Sequence, residues 1–146
     1  MTYEQLKLEN QLCFPVYAAS RLITRAYQPY LDKLEITYPQ YLVLLILWEE
    51  DSKPVNDIAR KLILNTNTIT PLLKRMEQMG IIVRQRSKED ERKVMVQLTE
   101  KGKYLKEEAS IIPEELVKQL LNEDLQVEDL ITLKDKLNTI IQLLSK

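Results

Sequence analysis

Histidine is absent from the 146 residues of this chain, and cysteine occurs only once, at Cys13. Without histidine, a Ser-His-Asp triad, a histidine-ligated metal site and a zinc finger are excluded. A lone cysteine cannot close an internal disulfide, and this usage is typical of a reducing, cytoplasmic location. We therefore expect no metal, no bound cofactor and no enzymatic activity.

Glycine occurs twice, and aromatic residues make up 6% of the chain. So few glycines exclude a glycine-rich phosphate loop and disfavour a β-sandwich or barrel, which would need many turns. The longest apolar run, residues 41–48, is too short to span a membrane. Residues 1–12 lack the basic and apolar segments of a secretory signal. These absences favour a soluble protein with a single, mainly helical domain.

Positive charge is concentrated in the middle of the chain, although the net charge is −1. Residues 60–93 contain 9 basic and 4 acidic side chains, whereas residues 1–59 and 94–146 are both acidic. A basic centre between acidic ends is expected of a localised DNA-contact surface. Ordinary variation in surface charge is the alternative.

The basic stretch overlaps a segment, residues 65–99, that predicts a helix, a strand, a charged hairpin tip and a second strand. Ile69, Leu73 and Met76 recur at helical spacing and predict a packing face, with Gly80 as the stop of that helix. A short helix over residues 55–64 precedes it, so the order predicts a winged helix-turn-helix. An ordinary helix and hairpin is the alternative. Polar and basic side chains of the second helix that could contact DNA are Thr66, Thr68, Thr70, Lys74 and Arg75.

Further helices flank this lobe. Residues 8–34 have helical periodicity, in which Pro15 predicts either a kink or a late start near Leu12. Thr37 and Gln40 predict a capping box for an apolar, central helix, and residues 51–54 predict a turn.

After the wing, Thr99 predicts the cap of a long helix that is interrupted at residues 112–113, and residues 125–144 form a last amphipathic stripe. We expect a single domain over residues 1–146. In it, residues 37–99 form the DNA-binding lobe, and residues 1–36 and 100–146 form dimerisation helices, since their apolar faces need a partner. Packing of these helices within one chain is the alternative.

Two sets of residues carry a resemblance to a known family. LNTNTITPLLKRMEQMGIIVRQRSKEDERKVMVQLTEKG, which begins at Leu64, resembles the recognition helix and wing of the MarR family of bacterial transcriptional regulators. LENQLCFPVYAASR, AYQPYLDKL and ITYPQYLVLLILWE resemble its one-cysteine branch of organic hydroperoxide resistance regulators, which are OhrR-like. The resemblance implies a mainly α fold with a small β-hairpin wing, and terminal helices that form a dimerisation region.

The resemblance further implies a homodimeric repressor on a pseudo-palindromic, double-stranded DNA operator. Arg92 would reach into the minor groove, with Asp90 orienting it. The alternative for this pair is a solvated salt bridge of little energetic value. The further candidate DNA-binding residues are Asn67, Pro71, Arg84, Arg86 and Lys88.

In the one-cysteine branch, the resemblance makes Cys13 the redox-sensing residue. Tyr27 and Tyr38 of the partner subunit would donate hydrogen bonds to its sulfur, and Tyr17 would line the same space. An organic hydroperoxide would oxidise Cys13 to a sulfenic acid, which either forms a mixed disulfide with a low-molecular-weight thiol or is oxidised further, and the operator would be released. From the residues alone, an inert buried cysteine is the alternative.

Three other functions stay open at this point. One is a MarR-type regulator released by a small phenolic or aromatic ligand, and another is a broader thiol-based regulator with different target genes. The third is a one-cysteine peroxidase, which needs a group to stabilise the departing alkoxide. Arg21 and Arg25 lie about two and three helical turns from Cys13, too far for that role.

Overall fold

The computed structural model describes residues 1–145, and over that range it has seven α-helices and one three-stranded antiparallel sheet. Two short 3-10 turns come first, at Glu4–Leu6 and Leu8–Asn10. The elements that follow are α1 (Cys13–Lys33), α2 (Tyr38–Glu49), β1 (Lys53–Pro54), α3 (Val55–Leu62), α4 (Thr66–Gln78), β2 (Ile82–Arg86), β3 (Val94–Leu98), α5 (Glu100–Ala109), α6 (Ile112–Leu120) and α7 (Val127–Leu144).

Helix α1 begins later than the periodicity from residue 8 suggests. It starts at Cys13, so the late start near Leu12, one of two outcomes predicted from Pro15, is confirmed. Pro15 falls in the first turn, where a backbone N–H has no intrahelical acceptor and proline costs little. Pro29 lies well inside the same helix, where it removes a hydrogen-bond donor.

Side-chain capping explains where α2, α4 and α5 begin. The Thr37 hydroxyl accepts from the Gln40 backbone N–H while the Gln40 side chain accepts from the Thr37 N–H, so the predicted capping box is confirmed. The Asn65 side chain caps α4 by accepting from the Thr68 N–H at 2.9 Å. The predicted cap at Thr99 is also present, and it accepts from the Gly102 N–H at 3.1 Å.

The segment predicted as a turn before α3 is partly a strand, and this prediction is corrected. Lys53 and Pro54 form β1, which pairs with β3 in the order β1-β3-β2. A proline is tolerated there because β1 is an edge strand. The Asp51 carboxylate secures this end of the sheet, since it accepts from the Ser52 N–H at 2.8 Å and the Leu98 N–H at 2.9 Å.

The core of the lobe lies between α2, α3, α4 and the sheet. Leu44 and Leu47 of α2, Ile58 of α3, and Leu73 and Met76 of α4 are all fully or almost fully buried. Gly80 then ends the α4 segment with φ +78°, a conformation that glycine adopts without strain. Packing on this core fixes α4 so that its opposite face lies on the surface.

By its internal contacts the chain divides into two compact units, residues 1–110 and 111–146. The predicted interruption at residues 112–113 is confirmed, because α5 ends at Ala109 and α6 starts at Ile112 with proline in its first turn. Among residues 1–145, no helix combines the length and apolarity needed to cross a bilayer. The division into dimerisation helices and a DNA-binding lobe stays a prediction.

Candidate nucleic-acid interface and redox site

Helix α4 has two distinct faces. Ile69, Leu73 and Met76 have no solvent exposure and hold the helix on the core. The opposite face is exposed, and it carries all seven candidate contact residues of this helix, which are Thr66, Asn67, Thr68, Thr70, Pro71, Lys74 and Arg75. Hydroxyl, amide and cationic groups on one rigid helix face can hydrogen-bond base edges and phosphates.

The tip of the β2–β3 hairpin is ordered by its own side chains. The Ser87 hydroxyl accepts from the backbone N–H groups of Glu89 and Asp90, both at 3.2 Å. Asp90 in turn accepts from the Arg92 backbone N–H and Nε, both at 3.1 Å. These hydrogen bonds from Arg92 hold the pKa of Asp90 below its ordinary value. The Arg92 side chain is 91% exposed. Its guanidinium is therefore held by Asp90 at Nε and is still accessible to a ligand.

A groove of about 240 Å³ separates the wing from the two helices of the helix-turn-helix. Thr66 and Thr70 of α4 line one side, and Arg84, Arg92 and Lys93 line the wing side. The fold therefore brings residues 14 to 27 positions apart into one surface with several cations. Such a surface suits a polyanion that follows both helix and wing.

The cations of the wing differ in their exposure and in whether a carboxylate pairs with them. Arg86 is exposed and donates through Nη1 to the Glu91 carbonyl at 2.9 Å, and Lys88 is exposed at the tip. Arg84 is only 21% exposed, and it is paired with Glu77 of α4. The sequence pattern missed Glu77, because nothing in its spacing distinguishes it from an ordinary surface carboxylate.

Cys13 is the first residue of α1, and its side chain is exposed. The thiol is therefore not buried within one chain, and its reactivity stays a prediction. Phe14 and Val16 beside it are also exposed apolar residues, and Tyr17 lies one turn further, with the Arg21 guanidinium 5.5 Å from the centre of its ring. Among residues 1–145, no cluster of histidine, cysteine or carboxylate side chains is arranged to hold a metal.

Two of the predicted tyrosines, Tyr27 and Tyr38, form an aromatic cluster with Tyr41 and Trp48. The ring of Tyr27 lies 5.0 Å from that of Tyr38 and 5.7 Å from that of Tyr41, and Trp48 follows 6.4 Å from Tyr41. Burial, with smaller contributions from neighbouring Tyr38 and Tyr41, raises the pKa of Tyr27 to about 12. Burial also raises the pKa values of Tyr38 and Tyr41. These phenols keep their protons at neutral pH and remain hydrogen-bond donors.

Cys13 and Tyr27 do not meet within one chain. They lie on the same helix, 14 residues apart, which is about 21 Å at the rise of an α-helix. A contact between this thiol and these phenols therefore requires a second copy of the chain.

Comparison with known proteins shows to which family a chain with this arrangement belongs. A family model for transcriptional regulators of the SarA/Rot type matches residues 25–109. The organic hydroperoxide resistance transcriptional regulator of Bacillus subtilis (strain 168) is 50% identical over 142 residues, which cover 97% of this chain and 95% of the relative. This chain belongs to the MarR family of transcriptional regulators. Within it, the chain lies in the branch that contains the organic hydroperoxide resistance regulator.

Solved structures of the MarR family agree with this assignment over the whole chain. Reduced AbfR bound to DNA has a TM-score of 0.79 and 37% identity, and the match covers 100% of both chains. Overoxidized AbfR bound to DNA has a TM-score of 0.77 and 38% identity, covering 99% of this chain and 100% of that one. The predicted fold, a mainly α winged helix-turn-helix, is confirmed.

Proposed function

We propose that this MarR-family protein is a redox-sensing transcriptional repressor that responds to organic hydroperoxides through oxidation of Cys13. The observation that carries the proposal is the exposed thiol of the only cysteine, in a chain 50% identical to an organic hydroperoxide resistance regulator. AbfR, which has the same fold, is found in a reduced and in an overoxidized form, which supports oxidation chemistry in a protein of this fold; both forms are bound to DNA.

The DNA-bound state is proposed to be a homodimer on a pseudo-palindromic operator. The exposed face of α4 enters the major groove, and Arg92, held by Asp90, reaches the minor groove from the wing. Wing cations beside it, such as Arg86 and Lys88, contact the backbone. The DNA-bound AbfR structures and the basic groove between α4 and the wing support this geometry.

The sensing state is proposed to bring Cys13 of one subunit to Tyr27 and Tyr38 of the other, with Tyr17 lining the same space. Because a phenol with a pKa of about 12 is protonated at neutral pH, the Tyr27 hydroxyl is a hydrogen-bond donor there. A donated hydrogen bond favours the thiolate over the thiol. The exposed apolar side chains of Phe14 and Val16 favour a peroxide with an organic substituent.

The reaction is a two-electron oxidation of sulfur. The Cys13 thiolate attacks one peroxide oxygen, an S–O bond forms as the O–O bond breaks, and the peroxide leaves as an alkoxide that takes up a proton to become an alcohol. The sulfenic acid then condenses with a low-molecular-weight thiol, giving a mixed disulfide and water. Without such a thiol, a second peroxide oxidises it to the sulfinic acid. Either product changes the size and polarity of the side chain at the start of α1.

The test is binding of reduced protein to DNA from upstream of its own gene, before and after cumene hydroperoxide. We expect salt-dependent binding that is lost on oxidation, and restored by dithiothreitol when a thiol was present. Cys13→Ser should keep binding and lose the response. Release that persists in Cys13→Ser would reject the mechanism, and would point to a regulator with a phenolic ligand if such a compound releases both proteins. Sustained turnover of peroxide would instead favour the peroxidase.

A further inference from the structure

Glu77, in the last turn of α4, accepts hydrogen bonds from Arg84 of the wing. Its Oε2 accepts from the Arg84 backbone N–H at 3.0 Å, and its Oε1 accepts from Nη2 at 3.2 Å and Nε at 3.4 Å. Three hydrogen bonds from one residue, two of them from the guanidinium fork, give this pair a fixed geometry. The Glu77 side chain is 37% exposed and that of Arg84 is 21% exposed, so both are partly shielded from water.

The position of this pair makes it a link between two separate DNA-contacting parts. Arg84 is the middle residue of β2, and β2 is an edge strand that pairs only with β3 in the sheet. In addition to the short connection at residues 79–81 and the burial of Ile82 in the core, the Glu77 side chain ties this strand directly to α4. Since the strand carries the hairpin tip with Arg92, this link bears on the angle at which the tip leaves the helix.

Electrostatics alone would not favour a carboxylate at this place. Residues 60–93 have an excess of basic side chains, and Arg84 lines the groove together with Arg92 and Lys93. A negative charge there opposes DNA and neutralises one of the groove's cations. A carboxylate in that position therefore needs a compensating role.

We propose that Glu77 is a positioning residue that fixes the wing against α4 through Arg84, so that helix and wing enter neighbouring grooves as one rigid unit. The inference rests on the DNA binding proposed above. In this role Arg84, predicted from the sequence as a DNA contact, acts through Glu77 and the wing. The benefit is preorganisation, since a wing held in place before binding loses less conformational freedom on the DNA.

The proposal can be separated from simple electrostatics because the two give opposite signs. Removing a carboxylate from a surface that faces phosphates ordinarily strengthens binding. If Glu77 positions the wing, Glu77→Gln weakens binding although the protein becomes more positive. Glutamine has the same length, but it lacks the charge that holds the guanidinium.

The experiment first selects a duplex from a randomised pool with the wild-type protein, and then measures its affinity by fluorescence anisotropy. We expect Glu77→Gln to bind roughly tenfold more weakly. Glu91→Gln, the matched control, removes the same charge from the exposed wing tip and should bind as tightly as the wild type or more tightly. Glu77→Asp keeps the charge with a shorter reach, and it too should bind more weakly. Urea unfolding shows that each variant is folded at the assay temperature.

Two further readouts identify the route of the effect. Hydroxyl-radical footprinting of Glu77→Gln should lose protection where the wings lie and keep it where the recognition helices lie. Adding Arg84→Met to Glu77→Gln should weaken binding by less than the sum of the two single changes, because both changes break the same link. An affinity of Glu77→Gln equal to or above the wild type, or an additive loss in the double variant, would overturn the proposal. Selection of no duplex by the wild type would reject the proposed function, and this inference with it.

Discussion

Helices α4 and α7 use apolar residues in opposite ways. In α4, Ile69, Leu73 and Met76 are completely buried, whereas no residue of α7 is buried. Apolar side chains of α7 such as Leu133 and Leu144 are 50% and 80% exposed. The core around α4 is therefore complete within one chain, whereas the apolar stripe of α7 stays exposed. An uncovered stripe of this kind is what the predicted second subunit would cover.

The sharpest test of this contrast is to make the same substitution in both helices. Leu73→Ala should lower the free energy of unfolding by about 2–5 kcal/mol, because it leaves a cavity in a packed core. Leu133→Ala should cost far less stability at high protein concentration and instead weaken subunit association. Urea unfolding followed by circular dichroism measures the first effect, and sedimentation equilibrium measures the second. Equal stability losses without any change in association would contradict the contrast.

A second substitution tests how closely α5 packs against the segment just before β2. Gly102 in α5 packs so closely on the wing base that a Cβ there would overlap the Ile81 carbonyl oxygen. Its carbonyl also accepts from the Trp48 indole N–H at 2.9 Å. Gly102→Ala should therefore cost about 1–3 kcal/mol of stability, although alanine normally favours a helix. The control Lys103→Ala, at the next and exposed position, should leave the urea midpoint almost unchanged.

The features that the sequence predicted are those that depend on residues close together along the chain. Caps and periodicity act over three or four residues, so Thr37 and Thr99 located their helices from the sequence alone. Strand β1 and the Glu77–Arg84 pair depend on partners brought together by the fold, and no local pattern indicates them. The roles proposed for Cys13 with Tyr27 and Tyr38 depend on a second chain and stay predictions, because the spacing of Cys13 and Tyr27 on α1 excludes contact within one copy.

The tyrosine cluster between α1 and α2 gives a test based on pH. The pKa of Tyr27 is about 12 in the folded chain against an ordinary 10.0, so the folded state holds this proton more tightly. Its stabilising effect is complete below pH 10 and is lost as the pH rises through about 12. Urea midpoints of wild type should fall over this range, and those of Tyr27→Phe should fall less steeply. An equal fall in both proteins would show that Tyr27 is not responsible.

The smallest effect concerns an exposed apolar residue inside the otherwise self-contained lobe. Ile63 ends α3 at the turn of the helix-turn-helix with φ 56° and ψ 45°, and its side chain is 62% exposed. A β-branched residue is strained in this left-handed conformation, whereas glycine adopts it freely. Ile63→Gly should therefore raise the free energy of unfolding by about 0.5–1 kcal/mol, despite the greater freedom of glycine in the unfolded chain. Ile63→Ala keeps the Cβ and should give no such gain. A loss of stability in Ile63→Gly would mean that packing of this side chain outweighs the strain. The lobe would then depend on an exposed apolar contact, as α7 is proposed to do.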